Sequence, residues 1–571
     1  MHICCLPCLT TTAMGKRYLL LTLILVMQLF TVNLYAQPKS GVKLVLQITV
    51  DGLRADLLNR YQGNFVEGGF RYLMDEGIVY TNAQYQHANT ETIVGHTTLA
   101  TGAFPSTHGM VGNVWYDRDA GELAYNIEDP DSPLIPTREN TSTSEQVDPS
   151  QKLSRTQGRS PTAILAATFS DGLAAYYAGR SKIFGVSSKD RSAVAMAGHV
   201  GKAFWYSTNS GDMVTSKYYY EDYPQWVGNW NGERRSEKYA GTSWDLLNDK
   251  STYLLADQDD RPYEADLKGY GRVFPHPFGK IDDGLFTTRL LVSPVGDQLL
   301  LDFSKTLISA ERLGQDSIPD YLSISFSSVD AVNHFFGPSS LENEDVVLQL
   351  DRSLADLFKY IDQAVGLKNT LIILSADHGM ADMPEYMTEL GYAVGRLDSK
   401  EIVNTANQVG KNKFAIDGVV RFFFRPYLYL DEEKISMAKF NQVQVERAIA
   451  TALSDTEGIA IAVPRSGFSS LQASPVVEQI KRNFHPFRSG DIYVAQQPYW
   501  FLLESGPIAV MHGSPWRYDT HVPIMFAGAK IKPKTVHRLV HPVDVAPTIA
   551  GFLGMTPPSS ANGSPLKEVL Q

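Results

Sequence analysis

Three apolar runs in this chain end on an aspartate. Val42–Gly52 (VKLVLQITVDG) closes on Asp51, Pro319–Asp330 (PDYLSISFSSVD) closes on Asp330, and NTLIILSADHG runs into Asp377 with His378 beside it. Four residues past Asp330 stands His334, a spacing that puts both on one face if the chain turns helical there. In VMHGSPWRYDTHVPIMF, His512 precedes a glycine. Three carboxylates and three imidazoles, with no sulfur, make a nitrogen/oxygen ligand set that fits zinc best and admits manganese or iron. Six ligands exceed what one tetrahedral ion takes and suit two, and two ions about 4 Å apart clamp the attacking and leaving oxygens of an in-line phosphoryl displacement. Singly, an Asp-His dipeptide is ordinary polar surface, and a strand-ending aspartate is a cap or turn former. Their joint placement after three apolar runs is what points to metal.

A nucleophile is sought among hydroxyls. His87–Asn113 (HANTETIVGHTTLATGAFPSTHGMVGN) is dense in them, and Thr92-Ile-Val-Gly-His96 leads into TTLATG, a short helical pattern. A hydroxyl at a helix N-terminus sits where backbone N–H groups and the dipole favour anions, and metal coordination would favour its alkoxide. Spacing alone does not separate Thr90, Thr92, Thr97 and Thr98.

These residues need a frame that brings them together. Continuous apolar runs read as parallel strands buried on both faces. Helical patterns lie between them, at Ser160–Gly179 and Glu342–Gly366. The alternation predicts an α/β architecture, a mostly parallel sheet with helices on both faces, whose sites form beyond the carboxyl ends of the strands. Three strand-ending aspartates then share one rim. Asp129–Gln157 reads as a loop, 218–282 as a cap-like insertion, and 418–465 as a small α+β subdomain in which VVRFFFRPYLYL alternates like one strand. No internal repeat, P-loop or Gly-x-Gly-x-x-Gly fingerprint is present.

The 571 residues are 43% hydrophobic and carry a net charge of −11, which argues against a nucleic-acid partner or an anionic membrane surface. Lys16 and Arg17 precede YLLLTLILVMQLFTVNLYAQ, so 1–36 reads as a signal peptide cleaved after Ala36, with Met14 a possible true start. A membrane anchor is the alternative; otherwise no stable membrane span remains after cleavage. All three cysteines (Cys4, Cys5, Cys8) precede the apolar run, so an exported chain of 37–571 would have neither disulfides nor thiolate ligands.

In order along 37–571, VDGLRADLL, TETIVGHTTLATGAFPSTHGMVGN, GVSSKDRSAVAMAGH, SSVDAVNHFFG, LSADHGM, HGSPWRYDTHVPIMF and VDVAPTIAGFLG resemble the alkaline phosphatase superfamily in its phosphodiesterase/nucleotide pyrophosphatase branch. They are most similar to the phosphate-irrepressible periplasmic alkaline phosphatases of Bacteroidetes-type bacteria. The resemblance implies an alkaline-phosphatase-like catalytic domain over 37–571, periplasmic or secreted, with two zinc ions. Asp330, His334 and His512 would hold one; Asp51, Asp377 and His378 the other, with Thr92 completing its shell as the nucleophile that becomes phospho-threonine. Val94-Gly95 stands where the diesterase branch has Pro-Asn. Asn113, Lys189 and Arg191 match the phosphate-contacting residues of the monoesterases. A monoester dianion has a third free oxygen for Lys189 and Arg191 to neutralise, so the expected substrates are small phosphate monoesters. A diesterase on the same two-zinc core and a non-catalytic phosphate-binding protein are the alternatives. His87, His96 and His108 read as supporting residues, His199 and His521 as the best placed to orient ligands. The sequence is silent on oligomeric state.

Overall fold

Leu44–Val50 is buried at every one of its seven positions, so it must be covered on both faces. The computed structural model describes residues 41–137, 148, 150–468, 474–503 and 508–571; the leader read at 1–36, with its cysteines, lies outside them. The strands that matter are β1 (Leu44–Val50), β2 (Ile78–Gln84), β3 (Ile183–Ser187), β4 (Lys202–Tyr206), β5 (Met213–Val214), β6 (Asp320–Phe326), β7 (Thr370–Ser375), β8 (Val420–Phe424), β9 (Tyr427–Leu430), β10 (Ile459–Pro464), β11 (Ile492–Gln496), β12 (His521–Gly528) and β13 (Lys534–Val536). Nine of them form one sheet in the order β13-β2-β12-β7-β1-β6-β3-β4-β5. Its centre is parallel. β12 runs antiparallel to both neighbours, and β5 to β4. The architecture is thus a large mixed sheet, mostly parallel.

Register decides where the site lies. Val50 pairs with Phe326, and Thr49 with Ser375, so β1, β6 and β7 end level. Alternate residues along these strands enter opposite cores. Leu46, Ile48, Leu322, Ile324, Ile372 and Leu374 pack on one side, and Val45, Tyr321, Leu371 and Ile373 on the other. The helices placing active-site residues or closing the cores are α1 (Thr92–Thr101), α2 (Asp190–Ala197), α3 (Ser328–Phe336), α4 (Leu341–Ala364) and α5 (Val545–Leu553). α4 buries Leu350, Leu354, Leu357 and Ile361 in the first core, and α5 buries Val545, Ile549 and Leu553 in the second, so the sheet is covered on both faces.

Two elements differ from the sequence expectation. The pattern over Ser160–Gly179 yields a helix only at Phe169–Tyr176, because Thr168 and Asp171 close a capping box that starts it there. VVRFFFRPYLYL is not one strand but the hairpin β8–β9, turning at Arg425-Pro426. With β11 and β10 that hairpin forms a separate four-stranded sheet, whose strand β11 lies beyond 418–465. The 218–282 stretch holds short helices and a two-residue strand pair, and packs Trp230, Trp244, Tyr253 and Tyr270 against the first core.

Candidate active site

Asp51 follows β1 directly; Asp330 lies in the first turn of α3 after β6; Asp377 and His378 come two and three residues after β7. Helical continuation after Asp330 brings His334 beside it, Nε2 to Oδ2 3.3 Å. His512 arrives from the loop before β12, with Nε2 3.6 Å from Asp330 Oδ1. Its ring stacks on that of His378 at 3.5 Å. His378 Nε2 lies 3.3 Å from both Asp51 Oδ1 and Asp377 Oδ2. The six residues proposed from the sequence therefore meet at one rim.

Two triads within this group could each hold an ion: Asp330–His334–His512 and Asp51–Asp330–His378. Asp330 belongs to both, so it lies between them. Asp377 enters the second through its contact with His378. Thr92 is the first residue of α1, fully buried, with Oγ1 3.5 Å from His378 Nε2.

Three features fit this cluster to divalent cations. Asp51 Oδ1 and Asp330 Oδ1 are buried with no hydrogen-bond donor, a costly state for a carboxylate. Each imidazole turns Nδ1 to a backbone carbonyl: His334 to Val510 at 2.9 Å, His378 to Gly379 at 2.8 Å, His512 to Thr90 at 2.8 Å. A carbonyl accepts only, so Nδ1 carries a proton and, in the neutral ring an ion would require, Nε2 turns its lone pair to the carboxylates. Finally, the charges are already biased. Burial opposes ionisation of Asp51, but Lys189 and His378 together hold the carboxyl below its usual range. Burial likewise opposes Asp330, which His334 and Lys189 hold well below that range. Against the burial that disfavours its charge, His378 is pushed up to about 9 by Asp377 and Asp51, a sign of how strongly the pocket attracts positive charge.

A cavity of ≈ 110 Å³ opens on this cluster. Asn113, Lys189 and Arg191 line it, as do Asp330, His334 and His512. Lys189 Nζ sits 2.8 Å from Asp51 Oδ2 and 2.5 Å from Asp330 Oδ2. Arg191 is held by Asp148, NH1 to Oδ2 2.7 Å. Asn113 Oδ1 accepts the Ile93 N–H at 3.2 Å, and the residue lines the cavity. Leu291, Val292, Phe335, Ile508 and Met511 give the cavity its apolar lining. The 218–282 stretch supplies none of these lining residues.

Supporting residues include some that sequence reading missed or underrated. His96 Nδ1 lies 2.9 Å from Thr92 O and 3.1 Å from Asp377 Oδ2, while Nε2 meets Ser325 Oγ at 2.9 Å. It ties α1 to two strand ends. Glu91, just before the helix, accepts the Asn113 N–H at 2.5 Å. Arg425, from the β8–β9 turn, donates to His512 O at 2.5 Å. The i, i+4 distance from Thr92 to His96 was the one signal available for the first; nothing local marks Glu91 or Arg425. His199 and His521, expected to orient ligands, do other work. His199 pairs with Asp171 at 2.8 Å, and His521 meets Thr81 O at 3.1 Å.

A model of the type I phosphodiesterase / nucleotide pyrophosphatase family matches residues 45–515. Among curated proteins, a calcium-transporting ATPase of Myroides odoratus is 32% identical, with 93% of this chain and 95% of that protein covered. Alkaline phosphatase PafA of Elizabethkingia meningoseptica is 30% identical, with 97% and 99% covered. The crystal structure of wild-type PafA superposes with a TM-score of 0.86, covering 94% of this chain and all of that one. A PafA variant carrying Thr-to-Ser, Asn-to-Ala, Lys-to-Ala and Arg-to-Ala changes matches at 0.85.

Proposed function

The chain belongs to the type I phosphodiesterase / nucleotide pyrophosphatase family, and from that premise we propose that it is an exported, zinc-dependent alkaline phosphatase acting on phosphate monoesters. One observation carries the reading. A threonine hydroxyl at a helix N-terminus lies 3.5 Å from a metal-competent histidine, and Asn113, Lys189 and Arg191 line the cavity on the same cluster. The threonine–asparagine and lysine–arginine spacings of the PafA variant, twenty-one and two residues, equal those from Thr92 to Asn113 and from Lys189 to Arg191.

Asp330, His334 and His512 would hold one ion, and Asp51, Asp377 and His378 the other. When bound, the two ions supply Lewis-acid stabilisation to the attacking and leaving oxygens. The rest falls to the chain. Thr92 Oγ1, giving up its proton to solvent, forms a bond to phosphorus as the ester oxygen leaves with its electron pair and takes a proton from water, giving phospho-threonine; water then attacks phosphorus, the bond to Oγ1 breaks, inorganic phosphate is released and Thr92 regains its proton. The N-terminal N–H groups of α1 favour the developing negative charge. Lys189 and Arg191 neutralise the non-bridging oxygens, and Asn113 donates its amide to one of them. Both cations are already directed by acidic partners, Lys189 by Asp51 and Asp330, Arg191 by Asp148.

Export rests on the basic residues and apolar run of 1–36, and among the described residues no helix is long and apolar enough to cross a membrane. The apolar lining of Leu291, Val292, Phe335, Ile508 and Met511 favours a second reading, a diesterase, because a second ester substituent needs such a surface. The deciding experiment is turnover of an aryl phosphate by the metal-loaded enzyme, with Thr92→Ala alongside. Turnover by the parent and loss of the covalent intermediate in the variant are expected. Full turnover by Thr92→Ala would remove Thr92 as nucleophile.

A further inference from the structure

The four-stranded sheet of β8, β9, β11 and β10 is separate from the main sheet, yet it reaches the catalytic cluster through a side chain at the tip of its hairpin. Arg425, in the β8–β9 turn, is buried, and its guanidinium serves two partners. NH1 donates to His512 O at 2.5 Å, and NH2 lies 3.9 Å from Glu91 Oε1. The other oxygen of that carboxylate, Oε2, accepts the Asn113 N–H at 2.5 Å. Glu91 also immediately precedes Thr92 at the start of α1. A rigid, planar fork of donors therefore stands between the backbone of one imidazole and the carboxylate that joins the nucleophile's segment to Asn113.

His512 needs such a hold, because it lies outside any helix or strand. Its ring is directed by Thr90 O, and Thr90 gives its hydroxyl to Ser514 O at 3.0 Å. Asp519 in turn accepts both the N–H and the hydroxyl of Ser514. Those contacts set the ring and the residue two further on; Arg425 sets the carbonyl between them. Gly513 shows how closely the guanidinium approaches. Its φ is +108°, and a Cβ there would fall 2.9 Å from Arg425 NH1 and 3.4 Å from Glu91 Cγ. A neighbouring contact grips the same two segments. Asn483, the last residue of the helix Pro475–Asn483, is fully buried. It accepts the Asn89 N–H at 3.2 Å, and donates to Val111 O at 3.1 Å and to Tyr427 OH of β9 at 2.7 Å.

We propose that Arg425 is a positioning residue: it carries the alignment of the second sheet into the catalytic cluster, holding the His512 carbonyl against the Glu91–Asn113 arm so that His512 Nε2 keeps its place beside Asp330. The inference rests on the two-ion phosphatase reading, in which His512 would share an ion with Asp330 and His334. Removing the guanidinium frees the His512 backbone and leaves Glu91 buried without that counter-charge. The competing account is that Arg425 only packs the second unit against the first, in which case any break in that packing does the same harm.

Zinc retention against chelators of graded strength, read by elemental analysis on the zinc-loaded protein, separates the two. Arg425→Met is expected to give up one of two zinc equivalents about 10–100-fold more readily than the parent, the usual effect of losing a partner of a metal ligand, and to hold the other as the parent does. Arg425→Lys, which keeps a charge and a donor, should recover part of that difference. Asn483→Ala breaks the neighbouring contact without touching His512 and should retain both equivalents as the parent does. Zinc held equally by Arg425→Met and the parent overturns the proposal, and so does the same weakening in Asn483→Ala. Should Arg425→Met not fold, Arg425→Gln carries the same comparison. A parent that holds zinc but turns over no aryl phosphate would remove the phosphatase reading, and the zinc comparison would still decide the role of Arg425.

Discussion

Lys189 stands where two demands meet. It is buried between Asp51 and Asp330, whose charges hold its ammonium above the usual lysine range despite the burial that opposes charge. It also lines the cavity where a phosphate would enter. A fixed positive charge there serves a dianion more than a monoanion, because only the monoester offers the third free oxygen. Lys189→Ala is therefore expected to lower kcat/KM for an aryl monoester by about 10²–10³-fold, the usual effect of removing one transition-state donor, and to affect the matching methyl diester less. Measuring both esters on one preparation checks this. An equal loss on the two would place Lys189 in support of Asp51 and Asp330 rather than in contact with phosphate.

At the scale of elements, the close approach of α1 to the end of β7 governs the site. Gly95 lies on the helix face against Asp377, and a Cβ there would fall 2.0 Å from the Asp377 carbonyl oxygen. This explains Val94-Gly95 in chemical terms: the glycine lets helix and strand end touch, so that Thr92 and His378 meet. Gly95→Ala should push them apart, costing about 1–3 kcal/mol as overpacking does and lowering turnover in parallel; urea unfolding together with kcat tests it, and unchanged values for both would refute the contact. Gly379 has a similar reason. Its constraint is space, since a Cβ would meet Tyr518 O at 2.0 Å. Such contacts mark what the sequence could and could not disclose. Asp51, Asp330 and Asp377 were legible because a strand buried on both faces is a continuous apolar run, and its polar end stands out. His334 was legible through helical spacing. Glu91 and Arg425 were not, because their partners Asn113 and His512 are set by packing between separate elements. The helix at 169–176 was overextended because apolar residues at Ile164 and Ala166 reach the core from irregular chain.

For the whole molecule, the cluster is a long-range assembly. Asp51, Thr92, Asp330, His378 and His512 come from strand ends, helix N-termini and a loop spread over most of the chain, and the level ends of β1, β6 and β7 set the rim at which they meet. An unfolded chain offers no such site. Ions bound there act on the native state alone, and their binding free energy adds to folding stability, about 2.7 kcal/mol at a free concentration 100 times Kd. Without them, Asp51 Oδ1 and Asp330 Oδ1 stay buried and bare, with Lys189 close by as a counter-charge. Chelation is thus expected to abolish turnover and lower the melting midpoint together, and zinc to restore both. Scanning calorimetry alongside kcat, on the chelated and the zinc-restored protein, makes the measurement. A midpoint that stays put while activity is lost would mean that Lys189 alone balances the carboxylates and that the ions contribute chemistry without stability.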